Sequence, residues 1–190
     1  SKLFLFDPML AEQGTYPSVP DTTSTGRGNP DCELPCPVQD LFNVDAVIVT
    51  HLHFDHFDEA AARLLPKHLP LFAQSQEEAD TLTGYSFEDV RVLWDEGIDF
   101  EGVRLYRTEC DHGSSSLVTM DGYQASGFSE KASGVVFESP SEKSRFYLAG
   151  DTIYCQHVVD AVEKFKPGIV AVNAAGAQFP LGHLLIMNQY

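Results

Sequence analysis

The alternation of apolar and polar blocks along the chain predicts many short strands with helices set between them. Residues 3–6 (LFLF) read as a strand closed by Asp7-Pro8, and residues 44–50 (VDAVIVT) form a β-branched apolar run typical of a buried strand. Asp58 is placed as the N-cap of a helix reaching about residue 65. Residues 69–73 suggest another strand, and Ser75 with Glu77, Glu78 and Ala79 opens a second short helix that ends near Gly84. Short strands follow at 90–93, 98–100 and 103–108, with a tight turn at Glu101-Gly102 joining the last two. Residues 134–138 and 145–148 form a hairpin around Ser139-Pro140-Ser141-Glu142. Residues 156–165 carry Val158, Val159, Val162 and Phe165 at helical spacing, and 168–172 make a final apolar strand.

The pattern lapses over residues 11–37, where Pro, Gly, Ser, Thr and Asn dominate; this is a long loop, of the kind that is a lid, a binding loop or disordered. No repeat or heptad interrupts the rest. Strands, hairpins and interspersed helices together predict one layered α/β (α+β) domain over residues 1–190.

Composition narrows the function classes. A chain of 190 residues suits one domain with a sizeable core. Its net charge of −16 argues against nucleic acid or an anionic membrane as the main partner, since both require cationic surface. A small-molecule substrate, even an anionic one, stays open because bound cations can make a cleft locally positive. A homo-oligomer also stays open. Cys32, Cys36, Cys110 and Cys155 are too scattered for a disulfide framework; free thiols are the favoured reading, with a Cys32–Cys36 pair as the alternative. With no signal peptide and no run of membrane-spanning length, the expected location is cytoplasmic.

The chemistry concentrates at His51-Leu52-His53-Phe54-Asp55-His56, directly after the predicted buried strand. Imidazoles at alternate positions face the same side of an extended backbone, so His51 and His53 suit one ion. Asp55 and His56 follow a turn and suit a second. Asp151, at a strand end after Gly150, is well placed to point into a cleft; its alternative is to cap the following helix. Asp7 is expected to support the histidine loop by hydrogen bonding.

The run Thr50-His51-Leu52-His53-Phe54-Asp55-His56 resembles the metallo-β-lactamase superfamily. Leu5-Phe6-Asp7-Pro8, Asp111-His112-Gly113-Ser114-Ser115 and Leu148-Ala149-Gly150-Asp151-Thr152 resemble its ascorbate-6-phosphate lactonase-like branch. The resemblance implies an αββα sandwich, incomplete at both ends in this chain, and two divalent ions, zinc or manganese. It implies that His51, His53 and His112 bind the first ion, that Asp55 and His56 bind the second, and that Asp151 bridges them. It implies a metal-dependent hydrolase acting on a lactone or related ester, in which Asp55 also orients the nucleophile or takes its proton. A phosphodiesterase of the same fold and a non-catalytic metal-binding domain are the alternatives. The superfamily's redox diiron enzymes are expected to carry a carboxylate where His53 stands, which favours hydrolysis.

The same resemblance calls for one more late histidine. His183 is the only one after Ala174-Ala175-Gly176-Ala177, and it lacks the strand and helix expected before it, so a surface loop position is expected for it. His68 and His157 read as ordinary residues and Cys110 as a buried inert thiol. Both ends of the chain look cut, and the second ion is expected to bind more weakly than the first.

Overall fold

Four short parallel strands organise the first part of the chain: β1 (Phe4–Phe6), β2 (Ala46–Ile48), β3 (Leu71–Ala73) and β4 (Val90–Val92), hydrogen-bonded in that order. The structure is a computed structural model that describes residues 2–18, 26–112, 131–179 and 183–188. These form two compact units, Ser1–Val92 and Leu93–Tyr190.

In the N-terminal unit, α1 (Glu59–Leu64) and α2 (Gln76–Gly84) connect successive parallel strands. Both start where the sequence places a cap. The Asp58 carboxylate accepts the Ala61 N–H at 2.7 Å, and the Ser75 hydroxyl accepts the Glu78 N–H at 3.3 Å. Asp58 also accepts the N–H groups of Leu10 and Ala11, so one buried carboxylate ties the start of the long loop to the start of α1. Val47, Val49, Leu71 and Ala73 pack with Ala61, Leu65, Ala79 and Leu82 in one apolar core. The continuous apolar run of β2 is thereby explained: all three of its residues are buried.

The 11–37 segment is less featureless than its composition suggests. Tyr16 and Asn29 exchange both backbone hydrogen bonds, at 2.8 Å each, which closes the segment on itself. A single turn of 3-10 helix, Val38–Phe42, follows it.

The C-terminal unit is built on β5 (Ile98–Phe100), β6 (Val103–Glu109), β7 (Ser133–Glu138), β8 (Phe146–Leu148) and β9 (Ile169–Ala171), adjacent in that order. The first four run antiparallel, and β8 to β9 is a parallel step that crosses over through α3 (Gln156–Phe165). Glu101 and Gly102 both have positive φ (50° and 84°), as a two-residue hairpin turn requires. Val158, Ala161 and Phe165 of α3 pack on Val136, Tyr147 and Ala149.

The final apolar strand forms as expected, yet Ile169 is 60% exposed and Val170 44%, because β9 pairs only with β8 among the described residues. A short hairpin of β10 (Gln178–Phe179) and β11 (His183–Leu184) was not signalled by the hydrophobic pattern. Its backbone includes His183, which is therefore a strand residue rather than part of a surface loop. All four cysteines are free. Among the described residues no helix is long and apolar enough to cross a membrane.

Candidate metal centre

The histidine loop begins where β2 leaves the core, and its geometry is set by Asp7 at the end of the neighbouring β1. One Asp7 oxygen accepts the Thr50 N–H at 2.7 Å; the other accepts the Thr50 hydroxyl at 2.8 Å and lies 3.0 Å from His56 Nδ1. The support expected of Asp7 is what it provides.

For neutral rings, the hydrogen-bond pattern assigns the imidazole tautomers. The Thr50 hydroxyl donates to Asp7, so at 3.1 Å from His51 Nδ1 it must accept an N–H from that ring. His51 Nε2 therefore carries the lone pair, and it faces His53 Nδ1 at 2.9 Å. Donation from His56 Nδ1 to Asp7 likewise puts the lone pair of that ring on Nε2. The rings of His51 and His56 approach to 4.0 Å between centroids, and those of His51 and His53 to 4.3 Å. Lone pairs on neutral imidazoles, each oriented through its other nitrogen, are the donor set that a divalent transition ion requires. The residues fit the metal.

Asp55 lies in the same turn but is exposed. Behind the loop stands a residue the sequence reading passed over as a helix former. Glu78 of α2 is buried, and its Oε1 accepts the Leu52 N–H at 3.3 Å and the Gln74 side-chain N–H at 2.9 Å. Burial pushes its carboxyl above the ordinary glutamate range. The signal for it was a charged residue beside Ala79 on the inward face of an amphipathic helix.

In the C-terminal unit, His112 follows β6 and Asp151 follows β8. The His112 Nδ1–H donates to the Leu185 carbonyl at 2.8 Å, which leaves the lone pair on Nε2, 3.8 Å from Asp151 Oδ2. The Asn173 amide donates to Asp151 Oδ1 at 2.6 Å. Gly150 delivers Asp151: its φ is 69°, and a Cβ there would come within 2.4 Å of the Ser133 carbonyl oxygen. Asp151 does not cap α3, whose N-cap position is Cys155. Gly113, Ser114 and Ser115 lie outside the described residues. The Cys110 thiol donates to the Ala149 carbonyl at 3.1 Å, and burial pushes it well above the ordinary cysteine range, which disfavours the reactive thiolate.

The profile of the beta-lactamase superfamily domain matches residues 4–188. The chain belongs to the metallo-β-lactamase superfamily. It is 39% identical to the UPF0173 protein YddR of Bacillus subtilis (strain 168), over 98% of this chain and 70% of that protein. Among solved structures it is similar to an isothiocyanate hydrolase from Delia radicum gut bacteria, with 36% identity and a TM-score of 0.88 over 98% of this chain and 70% of the other. A possible metal-dependent hydrolase from Veillonella parvula DSM 2008 gives 34% identity and a TM-score of 0.90 over 97% and 70%. The chain therefore has the metallo-β-lactamase fold expected from its motif, and its relatives support a metal-dependent hydrolase.

Proposed function

We propose that the chain hydrolyses a small molecule at an electrophilic carbon, using two divalent ions, zinc or manganese. His51, His53 and His112 are proposed to bind one ion, Asp55 and His56 the other, with Asp151 bridging. The observation that carries this reading is the hydrogen-bonded run from His51 Nδ1 through Thr50 to Asp7, which orients the ring and leaves its opposite nitrogen as the one that would hold a metal. When bound, such ions bring the pKa of water from 15.7 toward about 7 and polarise the substrate heteroatom. The chain's own residues supply the rest: Asp7 holds His56 in register, and Asp55, exposed in the turn, accepts the proton of the attacking water.

An isothiocyanate is the favoured substrate class, supported by the relative at 36% identity that hydrolyses one. Water adds to the central carbon of R–N=C=S, the C–N bond breaks, and the products are an amine and carbonyl sulfide. A lactone of a small anionic metabolite is the second reading, supported by the resemblance of the Leu5-Phe6-Asp7-Pro8 and Leu148-Ala149-Gly150-Asp151-Thr152 segments to the lactonase-like branch. The partner in either case is a small molecule, and the cytoplasm remains the proposed location.

The test is metal analysis with a panel of isothiocyanates, lactones and phosphodiesters. Near two ions per chain with turnover of isothiocyanates is expected, and chelation should abolish turnover and lower the melting temperature, since metal binding to the folded state stabilises it. A purified chain that neither holds metal nor changes its melting when zinc or manganese is added refutes the reading.

A further inference from the structure

Position 78 breaks a rule of its own helix. Its neighbours Ala79 and Leu82 are buried in the N-terminal core, and Glu78 is 8% exposed. An apolar side chain there would leave no polar atom unsatisfied, whereas a buried carboxyl oxygen without a partner is costly. Glu78 Oε2 is such an atom among the described residues. What the carboxyl does make is Oε1's contact with the Leu52 N–H, and Leu52 is the residue between His51 and His53. Gln74, one turn earlier on the chain, donates to the same Oε1 and so aims it. The Leu52 side chain packs against the N-terminal core, which leaves its peptide as the part of the loop that needs an external acceptor.

We infer that Glu78 is a positioning residue for the proposed metal centre: by accepting the Leu52 N–H it fixes the backbone that presents His51 and His53 as a pair. Asp7 orients His51 and His56 through their side chains, and Glu78 orients His51 and His53 through the peptide that joins them. The inference rests on the proposed binding of metal by these histidines. It assigns Glu78 no contact with metal or substrate.

The experiment titrates metal-free wild type, Glu78→Met, Glu78→Gln and Glu78→Asp with cobalt(II), reading affinity and the visible absorption of the bound ion. Residues that orient metal ligands are worth about 10–100-fold in affinity, and Glu78→Met should lose affinity in that range with an altered cobalt spectrum. Glu78→Gln keeps an oxygen that can accept the Leu52 N–H and should restore most of the affinity and the wild-type spectrum. Glu78→Asp keeps the charge but is one methylene short, and should lose affinity. Should Glu78→Met fail to fold, the Gln and Asp pair decides. Wild-type affinity and spectrum in both Met and Asp variants, or equal loss in Gln and Asp, overturns the inference. A wild-type chain that binds no cobalt instead refutes the metal reading, so the two failures are distinguishable.

Discussion

The two units supply ligand candidates in different ways. In the N-terminal unit, His51, His53, Asp55 and His56 fall on one loop, and the groups that hold that loop, Asp7 and Glu78, come from β1 and α2 of the same unit. In the C-terminal unit, His112 and Asp151 stand 39 residues apart in sequence and meet only because β6, β7 and β8 pair in a particular register. A local ligand loop depends for its shape on a buried carboxylate, Glu78, and a part-buried one, Asp7. A ligand pair made by a sheet depends on strand register and on the backbone that leaves the strand.

The largest expected effect lies in the C-terminal unit. Asp151→Ala should lower metal affinity by at least about 100-fold, beyond what loss of an orienting residue does, and remove turnover with it. Because Cys155 rather than Asp151 occupies the N-cap of α3, metal-free stability should fall by less than the ~1 kcal/mol typical of a lost cap. Full metal content in a folded Asp151→Ala variant would show that the sheet-made pair is structural and that the centre belongs to the loop alone.

The same contrast explains what the sequence made legible. The strands of the N-terminal unit, its two helix caps and the loop ligands are local signals, and Asp58, Ser75 and the His51–His56 run announce themselves by residue type and spacing. The 3.8 Å approach of His112 to Asp151, the Leu185 carbonyl that sets the His112 tautomer and the Asn173 amide on Asp151 are long-range facts. No spacing rule encodes them. Family resemblance alone names His112, Asp151 is also marked by its place at a strand end after Gly150, and neither Leu185 nor Asn173 carries any signal in the sequence. Glu78 was hidden for another reason: on a helix, a buried glutamate and a solvated one look alike until the facing element is known. The β10–β11 hairpin escaped because strands of two residues leave no period to read.

Gly150→Ala probes the sheet-made half more gently. Adopting a φ of 69° costs a residue with a Cβ about 1–3 kcal/mol, and here that Cβ would also meet the Ser133 carbonyl oxygen at 2.4 Å, which is backbone and yields only if β7 and the Asp151 segment part. The expected result is a lower urea midpoint in the metal-free protein together with weakened metal binding, while the His51–His56 loop keeps its amide exchange protection. Loss of that protection as well would mean that the two ligand sources are not separable.

The smallest effect concerns Glu78 and tests whether the loop's carboxylate support carries a cost in stability. Burial raises the folded pKa above the unfolded value of 4.5; the negative charges of Glu77 and Asp7 act in the same direction, and the N–H donors of Gln74 and Leu52 oppose it. Below the unfolded pKa, Glu78 is protonated in both states and imposes no penalty. As pH rises past that value the unfolded chain releases the proton while the folded chain retains it, so the folded state binds more protons and stability falls with pH. The fall ends once pH passes the folded pKa, where both states are ionised. Glu78→Gln cannot titrate, so the stability of wild type minus that of Glu78→Gln follows this group rather than the ionisable groups common to both chains. In metal-free protein that difference should decline from pH 4.5 upward and then level off, measured by urea unfolding at matched pH. A flat difference would mean that Glu78 ionises as readily folded as unfolded, and the loop would then be held by a carboxylate that solvent already satisfies.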